Sequence, residues 1–140
     1  MRVLLDSNVV LDVLLVRQPW FAEASQVWDA HRNGQIAAAV AAFTIPTIFY
    51  IVRRQFDLQH AHDAVRICLT ALEIVPVSRT TLELARTMPG SDDEDNLQLA
   101  CVLEMHMDAM VTRDPSGYPG ATIPLLTPAD LLAQLGQGTP

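Results

Sequence analysis

Apolar and polar positions along the chain form two alternating kinds of segment. Short, nearly continuous apolar runs predict buried strands at residues 2–6, 36–40, 73–77, 109–112 and 123–126. Longer segments with apolar residues at helical spacing predict helices at residues 8–16, 20–33, 44–54, 58–72, 78–86, 92–105 and from 127 onward. Strands separated by helices are typical of a parallel sheet covered on both faces. We therefore expect an α/β fold, a three-layer α/β/α sandwich with a central parallel sheet of four to five strands.

Local residue choices predict where several helices begin and where the domain ends. Thr44 is a candidate N-cap with Pro46 tolerated in the first turn, and Thr127 followed by Pro128 and Asp130 is a strong helix start. No repeat, linker or low-complexity segment interrupts the pattern. We expect one domain over residues 1–135 and a frayed tail over residues 136–140.

Composition narrows the function without deciding it. The chain has 140 residues, is 50% hydrophobic and carries a net charge of −7, and all nine basic residues are arginine. The absence of a basic patch counts against a simple nucleic-acid-binding module, although a nuclease whose carboxylates are neutralised by metal can be acidic. Cys68 and Cys101 lie in apolar helical patterns, as expected for buried, reduced thiols of a cytoplasmic protein. We expect no signal peptide and no membrane span.

Acidic residues stand at three distant points that a parallel sheet would bring together. Asp6 closes the first predicted strand, the cluster at residues 92–95 opens a helix, and Asp114 follows the strand at residues 109–112. Sites of open α/β sheets lie outside the carboxyl ends of the strands. Crowded carboxylates repel unless a hard cation such as Mg²⁺ lies between them. The pattern predicts a metal site for phosphodiester chemistry.

Each point also has a simpler interpretation. Asp6 could cap a helix, the acids at residues 92–95 could stabilise a helix N-terminus, and Asp114 before Pro115 could belong to a turn. Within the cluster we choose Asp95 as the inward-pointing ligand, because it precedes the apolar helix face. Asp92 and Glu94 are candidates for a second metal or a supporting role.

The other polar residues receive weaker assignments. Asn8 is expected to position Asp6, and Thr112 to hydrogen-bond an acid or the substrate. Asp12 is expected to face outward from its helix. The candidates for phosphate contacts are Arg17, Arg53 and Arg113.

The chain resembles the PIN-domain proteins, the ribonuclease fold of the VapC-like toxins of bacterial toxin–antitoxin pairs. The matching segments span nearly the whole chain, and they are residues 5–8 with Asp12, residues 92–98, residues 111–114 and residues 126–132. The resemblance implies an endoribonuclease dependent on Mg²⁺ or Mn²⁺, with Asp6, Asp95 and Asp114 as its carboxylates. It also implies homodimers and inhibition by a small antitoxin whose tail enters the active site.

One departure from the family pattern concerns the helix after the second strand. The family usually carries a further acid there, whereas this chain has none between Asp29 and Asp57, and Thr47 falls near the missing position. Thr47 could hold a metal-bound water, with Asp92 or Glu94 replacing the charge. Alternatively, metal binding is weakened and activity is low.

Three other functions compete with the ribonuclease. A phosphoacceptor receiver domain needs a late lysine, and this chain has no lysine. A dehalogenase-like phosphatase needs an aspartate two residues after its nucleophile, where this chain has Asn8. A PIN-fold module that has lost catalysis and acts by binding protein or RNA remains the main alternative, and metal binding would discriminate it.

Overall fold

Five parallel strands form one sheet at the centre of the computed structural model, which describes residues 1–137. The strands are β1 (Arg2–Leu5), β2 (Ala37–Ala41), β3 (Glu73–Val75), β4 (Ala109–Val111) and β5 (Leu125–Leu126). Their spatial order is β3-β2-β1-β4-β5. The chain leaves β1 toward one edge and returns to its other side at β4, so the order reverses between β1 and β4. Open α/β sheets bind ligands outside the carboxyl ends of the strands at such a reversal.

Seven α-helices and one short 3₁₀ turn connect the strands within residues 1–137. The helices are α1 (Ser7–Leu14), α2 (Phe21–Arg32), α3 (Thr44–Gln55), α4 (Leu58–Ala71), α5 (Arg79–Ala85), α6 (Asp93–Glu104) and α7 (Pro128–Gln137), and the turn is Pro115–Gly117. No helix within those residues is long and apolar enough to cross a membrane. The expected fold class is confirmed, with five strands in the sheet.

The sheet separates two apolar clusters, one on each face. Alternate residues of β1 point to opposite sides, so Val3 and Leu5 enter the larger cluster with α1 to α4 and α7, while Leu4 enters the smaller one with α6. All three side chains are buried. Burial on both faces explains why the strands read as continuous apolar runs instead of alternating patterns.

The predicted boundaries lie within two residues of those in the structure, and two predictions about helix ends are wrong. Thr44 was expected to cap α3, but it is the first helical residue, Phe43 takes the cap position, and the buried Thr44 hydroxyl has no hydrogen-bond partner. The last helix extends to Gln137, past the predicted start of a frayed tail, and residues 138–140 lie outside the described part. The predicted start of α7 is confirmed, since Thr127 and Asp130 each accept a hydrogen bond from the other's backbone N–H.

Strand register brings two polar side chains to the same edge of the sheet. Leu5 pairs with Val111, and the Asp6 N–H donates to the Val111 carbonyl at 2.9 Å. The next residue of each chain segment, Asp6 and Thr112, therefore projects from the carboxyl end of a central strand. Neither position depends on a loop conformation, because both strands are buried and paired.

Three helices end in the same hydrogen-bond motif, but only one has glycine at its left-handed position. After α1, the N–H of Arg17 bonds to the carbonyl of Asp12 at 3.1 Å, and the intervening Val16 has φ 50°. The corresponding residue after α2 is Gly34 with φ 78°, and after α6 it is His106 with φ 50°. A β-branched residue is strained in this region, so the end of α1 stores unfavourable backbone energy.

Replacing Val16 with glycine should therefore raise the free energy of unfolding by up to about 1 kcal/mol, since relief of strain exceeds the added freedom of the unfolded chain. The Val16 side chain is 55% exposed, so little packing is lost. Urea denaturation followed by circular dichroism measures the change. Gly34→Ala is the reverse control and should lower the free energy of unfolding, because alanine is strained at this left-handed φ of 78°. An added Cβ would meet no atom within 4 Å, so the loss would report backbone strain alone. A less stable Val16→Gly protein would contradict the assignment of strain.

Candidate metal centre

Asp6 is a buried carboxylate at the end of the central strand. It is 6% exposed, and its side chain makes no capping hydrogen bond to α1, although the residue occupies the N-cap position. The simple capping interpretation is therefore wrong for its carboxylate. A buried charge must be satisfied by other polar groups.

Donors from three other elements satisfy Asp6. The hydroxyls of Thr112 and Tyr118 each donate to its Oδ2 at 2.8 Å, and the Gln98 amide donates to its Oδ1 at 3.2 Å. The same Gln98 nitrogen donates to the Tyr118 hydroxyl oxygen at 3.0 Å. Asn8 adds a longer contact to Oδ2 at 3.4 Å and accepts the backbone N–H of Arg113 at 3.4 Å. The expected contacts of Asn8 and Thr112 with Asp6 are present.

Sequence reasoning missed Gln98 and Tyr118. Gln98 lies one helical turn after Asp95, so helical spacing could have placed it on the same face. Tyr118 lies four residues after Asp114 in a loop, where no periodicity applies, and its contact with Asp6 spans 112 positions. Both side chains are buried.

Asp95 lies in the first turn of α6, and the preceding acids have other partners. The Asp92 carboxylate caps the helix by accepting the Asp95 N–H at 3.1 Å. Asp93 pairs with Arg86, and Glu94 is exposed in the same turn. Asp95 is thus the partly buried acid of this cluster, and its role as the inward-pointing ligand stays a prediction, whereas Asp92 caps the helix.

The neighbouring carboxylates raise the pKa of Asp95. The pKa of Asp95 is raised to about 6, first by burial and then by the negative charges of Asp92, Asp6 and Asp114, while an interaction with the Tyr118 hydroxyl acts in the opposite direction. The pKa of Tyr118 is raised by burial and by the charge of Asp6. Acids from three chain segments thus contribute to the charge around Asp95.

Asp114 faces Asp95 across a residue without a side chain. A Cβ added to Gly117 would lie 3.4 Å from Oδ2 of Asp95 and 3.6 Å from Oδ2 of Asp114. Asp114 is exposed, accepts the Ser116 hydroxyl and stands at the N-cap of the 3₁₀ turn, so the turn interpretation of this residue also holds. Gly117 leaves open the space between the two carboxylates.

The residue types at this edge fit a hard cation, but their positions do not yet form a cage. Among residues 1–137, Asp6, Asp95 and Asp114 form no ion pair with an arginine or histidine, so their charges are uncompensated by the protein. Oxygen ligands and the open space beside Gly117 suit Mg²⁺ or Mn²⁺. However, no three His, Cys, Asp or Glu side chains in those residues form a group that could hold a metal ion as they stand.

The Thr47 hydroxyl, which was predicted to hold a metal-bound water, makes its hydrogen bond within helix α3. Thr47 lies in the first half of α3, and its hydroxyl donates to the Phe43 carbonyl of its own helix at 3.3 Å. This contact satisfies the hydroxyl locally. The structure therefore gives Thr47 a helical partner and shows no contact of its hydroxyl with the three acids.

Asp12 does not face outward, contrary to expectation. Its side chain is 0% exposed and receives two hydrogen bonds from the Arg113 guanidinium, at 2.7 and 3.3 Å. Arg17 lies 4.0 Å away on the other side, and the Arg113 guanidinium stacks 3.8 Å over the Trp20 ring. Two of the three candidate phosphate contacts are thus directed at a buried carboxylate. Burial raises the pKa of Asp12, and the arginines oppose that shift.

Asp95→Asn should stabilise the metal-free protein at neutral pH. Protonation of Asp95 favours the folded state most fully below pH 3.8, and this contribution is lost as the pH rises through about 6, so ionised Asp95 destabilises the fold above that value. After allowance for solvent screening we expect a gain of about 1 kcal/mol at neutral pH. Urea denaturation in EDTA, repeated at falling pH, should show the gain shrinking toward pH 3.8. A gain independent of pH would contradict the crowding of these acids.

Arg113→Met should cost about 3 kcal/mol of unfolding free energy, because it leaves a buried carboxylate without its main partner. The double variant Asp12→Leu/Arg113→Met should recover most of that loss. Arg66→Met, which breaks an exposed pair with Asp63, is the matched control and should cost less than about 1 kcal/mol. Equal losses for the two single variants in chemical denaturation would refute the special role of Asp12.

Comparisons with known proteins agree with this fold. The chain is similar to the solved structure of VapBC2 from Rickettsia felis bound to promoter DNA, with 14% identity and a TM-score of 0.68 over 91% of this chain and 98% of that one. It is also similar to a toxin–antitoxin complex from Klebsiella pneumoniae, with 19% identity and a TM-score of 0.67 over 90% of this chain and 97% of that one. A third similar structure is VapC20 of Mycobacterium tuberculosis, a toxin that cleaves the sarcin–ricin loop, with 11% identity and a TM-score of 0.67 over 83% of this chain and 95% of that one. No curated protein sequence matches it. The PIN-domain family model matches residues 2–116, and the chain belongs to the PIN-domain family.

Proposed function

We propose that this protein is a metal-dependent endoribonuclease that cleaves RNA phosphodiester bonds, the toxin of a toxin–antitoxin pair. The observation that carries the proposal is the convergence of Asp6, Asp95 and Asp114 at one sheet edge without a compensating cation from the described residues. Structural neighbours that are toxins or toxin–antitoxin complexes support the biological role. Cys68 and Cys101 are buried free thiols, which supports a cytoplasmic setting.

In this proposal Asp6, Asp95 and Asp114 hold Mg²⁺ or Mn²⁺. When bound, the metal lowers the pKa of a coordinated water and stabilises charge that develops on the phosphate. Asp6 is the fixed member, because Thr112 and Gln98 hold it from buried positions. Asp95 and Asp114 complete the acidic set, and Gly117 keeps the space beside them open to an RNA backbone.

A binding partner would have an apolar surface available away from these acids. Helices α3 and α4, together with the residue that follows α3, expose the large apolar side chains of Tyr50, Phe56, Leu58, Ile67 and Leu69. We take these side chains as candidate contacts for a small antitoxin or a second copy of the chain.

The alternative is a PIN-fold module without catalysis, favoured by the absent fourth acid and by the Thr47 hydroxyl bonding within its own helix. RNA cleavage discriminates the two functions. Purified protein is incubated with structured and single-stranded RNA in Mn²⁺, in Mg²⁺ and in EDTA, beside Asp6→Asn. Cleavage that requires metal and disappears in the variant supports the nuclease. No cleavage and no Mn²⁺ binding by calorimetry would establish the binding module instead.

Asp114→Asn should abolish metal-dependent cleavage, a loss of at least about a hundredfold, while the fold is retained, because the residue is exposed and its removal leaves no buried group unpaired. Gel-resolved cleavage rates and circular dichroism measure the two properties. Asp63→Asn, which changes a partly exposed acid of helix α4 paired with Arg66, is the control and should retain full activity. Unchanged cleavage in Asp114→Asn would remove this residue from the site.

A further inference from the structure

We propose that the Tyr118 hydroxyl competes with the metal ion, because it donates at 2.8 Å to Asp6, one of the acids that would hold the cation. The metal binds only when this hydroxyl leaves Asp6. The inference rests on the proposed function for the identity of the ligands. It assigns to Tyr118 a control over metal affinity that the acids alone do not provide.

The first argument is a count of hydrogen bonds at Asp6. Its carboxylate accepts donors from five side chains: Ser7, Asn8, Gln98, Thr112 and Tyr118. An ionised carboxylate offers about four lone-pair sites. A cation therefore cannot coordinate Asp6 in this arrangement unless at least one donor withdraws.

The second argument identifies the donor that withdraws. Thr112 directly follows the buried strand β4, and its N–H bonds to the Leu126 carbonyl at 2.9 Å. Gln98 is fixed in the second turn of α6 and is 2% exposed. Tyr118 instead follows the 3₁₀ turn, in the irregular connection before β5. Of the two donors at 2.8 Å, Tyr118 is the one that no strand holds, although its ring is buried in the smaller apolar cluster.

The third argument is the position of the hydroxyl. The Tyr118 oxygen is 2.8 Å from Asp6 and also interacts with the Asp95 carboxylate. The hydroxyl hydrogen is donated to Asp6, and the same group also acts on Asp95, so Tyr118 stands beside two of the acids that would hold a cation. A cation held by these acids would need the space of the hydroxyl, and we therefore expect the two to exclude each other.

The fourth argument is that the side-chain oxygen of Gln98 is available to accept a hydrogen bond from the displaced Tyr118 hydroxyl. The Gln98 side-chain oxygen is buried and has no hydrogen-bond partner, while its nitrogen lies 3.0 Å from the Tyr118 oxygen. A hydroxyl that leaves Asp6 can donate to this oxygen, which then gains the partner that buried polar atoms require, while the Gln98 amide keeps its hydrogen bond to Asp6.

The test compares Mn²⁺ affinity between variants that each lose one donor to the same oxygen of Asp6. Tyr118→Phe should bind Mn²⁺ about tenfold more tightly than the parent protein, the scale of one hydrogen bond to a charged acceptor. Thr112→Val should bind no more tightly than the parent, because Thr112 does not bridge Asp6 and Asp95. Isothermal titration calorimetry on the full chain, without RNA, gives the affinities, and circular dichroism confirms folding.

A second measurement observes Tyr118 directly. The chain has two tyrosines, so Tyr50→Phe leaves Tyr118 as the only site for 3-fluorotyrosine labelling. Tyr50 is exposed and lies outside the acidic site, so Mn²⁺ affinity should be unchanged in this variant. Addition of Mg²⁺ should shift the single ¹⁹F resonance, and Asp6→Asn should prevent the shift.

Different failures have different meanings. Unchanged or weaker Mn²⁺ binding by Tyr118→Phe, with metal-dependent cleavage intact in the parent, overturns the competition and leaves the proposed function standing. An equal gain in Mn²⁺ affinity in Tyr118→Phe and Thr112→Val also overturns the competition. In that case the loss of any donor to Asp6 would improve metal binding, and Tyr118 would have no special role. A ¹⁹F resonance that does not shift at saturating Mg²⁺ overturns the proposal that the metal displaces the Tyr118 hydroxyl. Absence of Mn²⁺ binding in both the parent and Tyr118→Phe overturns this inference together with the metal site.

Discussion

The buried carboxylate of Asp6 is the constraint around which this molecule is organised. It lies at the end of the central strand, where burial makes an unsatisfied charge very unfavourable. Its donors come from α1, α6, the end of β4 and the connection to β5. One charge therefore ties together segments that lie on both sides of the strand-order reversal, and the geometry of the site is a consequence of satisfying it.

A second buried acid on the same strand–helix unit shows what distinguishes structure from function here. Asp12 is neutralised by the Arg113 guanidinium, whereas Asp6 receives only neutral hydroxyl and amide donors. A paired carboxylate has no remaining attraction for a cation, and its role is to hold the β4 loop against α1. Among the described residues, Asp6 has no arginine or histidine partner. The two aspartates lie six residues apart, and they differ in their partners: Asp12 pairs with an arginine, whereas Asp6 accepts hydrogen bonds from neutral groups.

The fold and the outline of the site were predictable from sequence because both depend on local pattern. Apolar runs set the strands, and residues following strands in a parallel sheet must share an edge, so Asp6 and Asp114 could be placed without coordinates. The interior of the site was not predictable. Asp12 lies in a helix with few polar residues to define an outer face, and its partner Arg113 is 101 positions away. Tyr118 lies in an irregular loop, where spacing carries no information about direction.

The missing fourth acid and the Tyr118 network have the same physical consequence. A further carboxylate beside Asp6 and Asp95 would add repulsion that hydrogen bonds from neutral groups cannot offset, and a cation would then be needed to hold the edge of the sheet together. Without such an acid, Thr112, Gln98 and Tyr118 satisfy Asp6 on their own. Under the proposed function, the smaller number of acids lowers the demand for metal, and metal affinity would be set by the balance between those donors and the carboxylates of Asp6, Asp95 and Asp114.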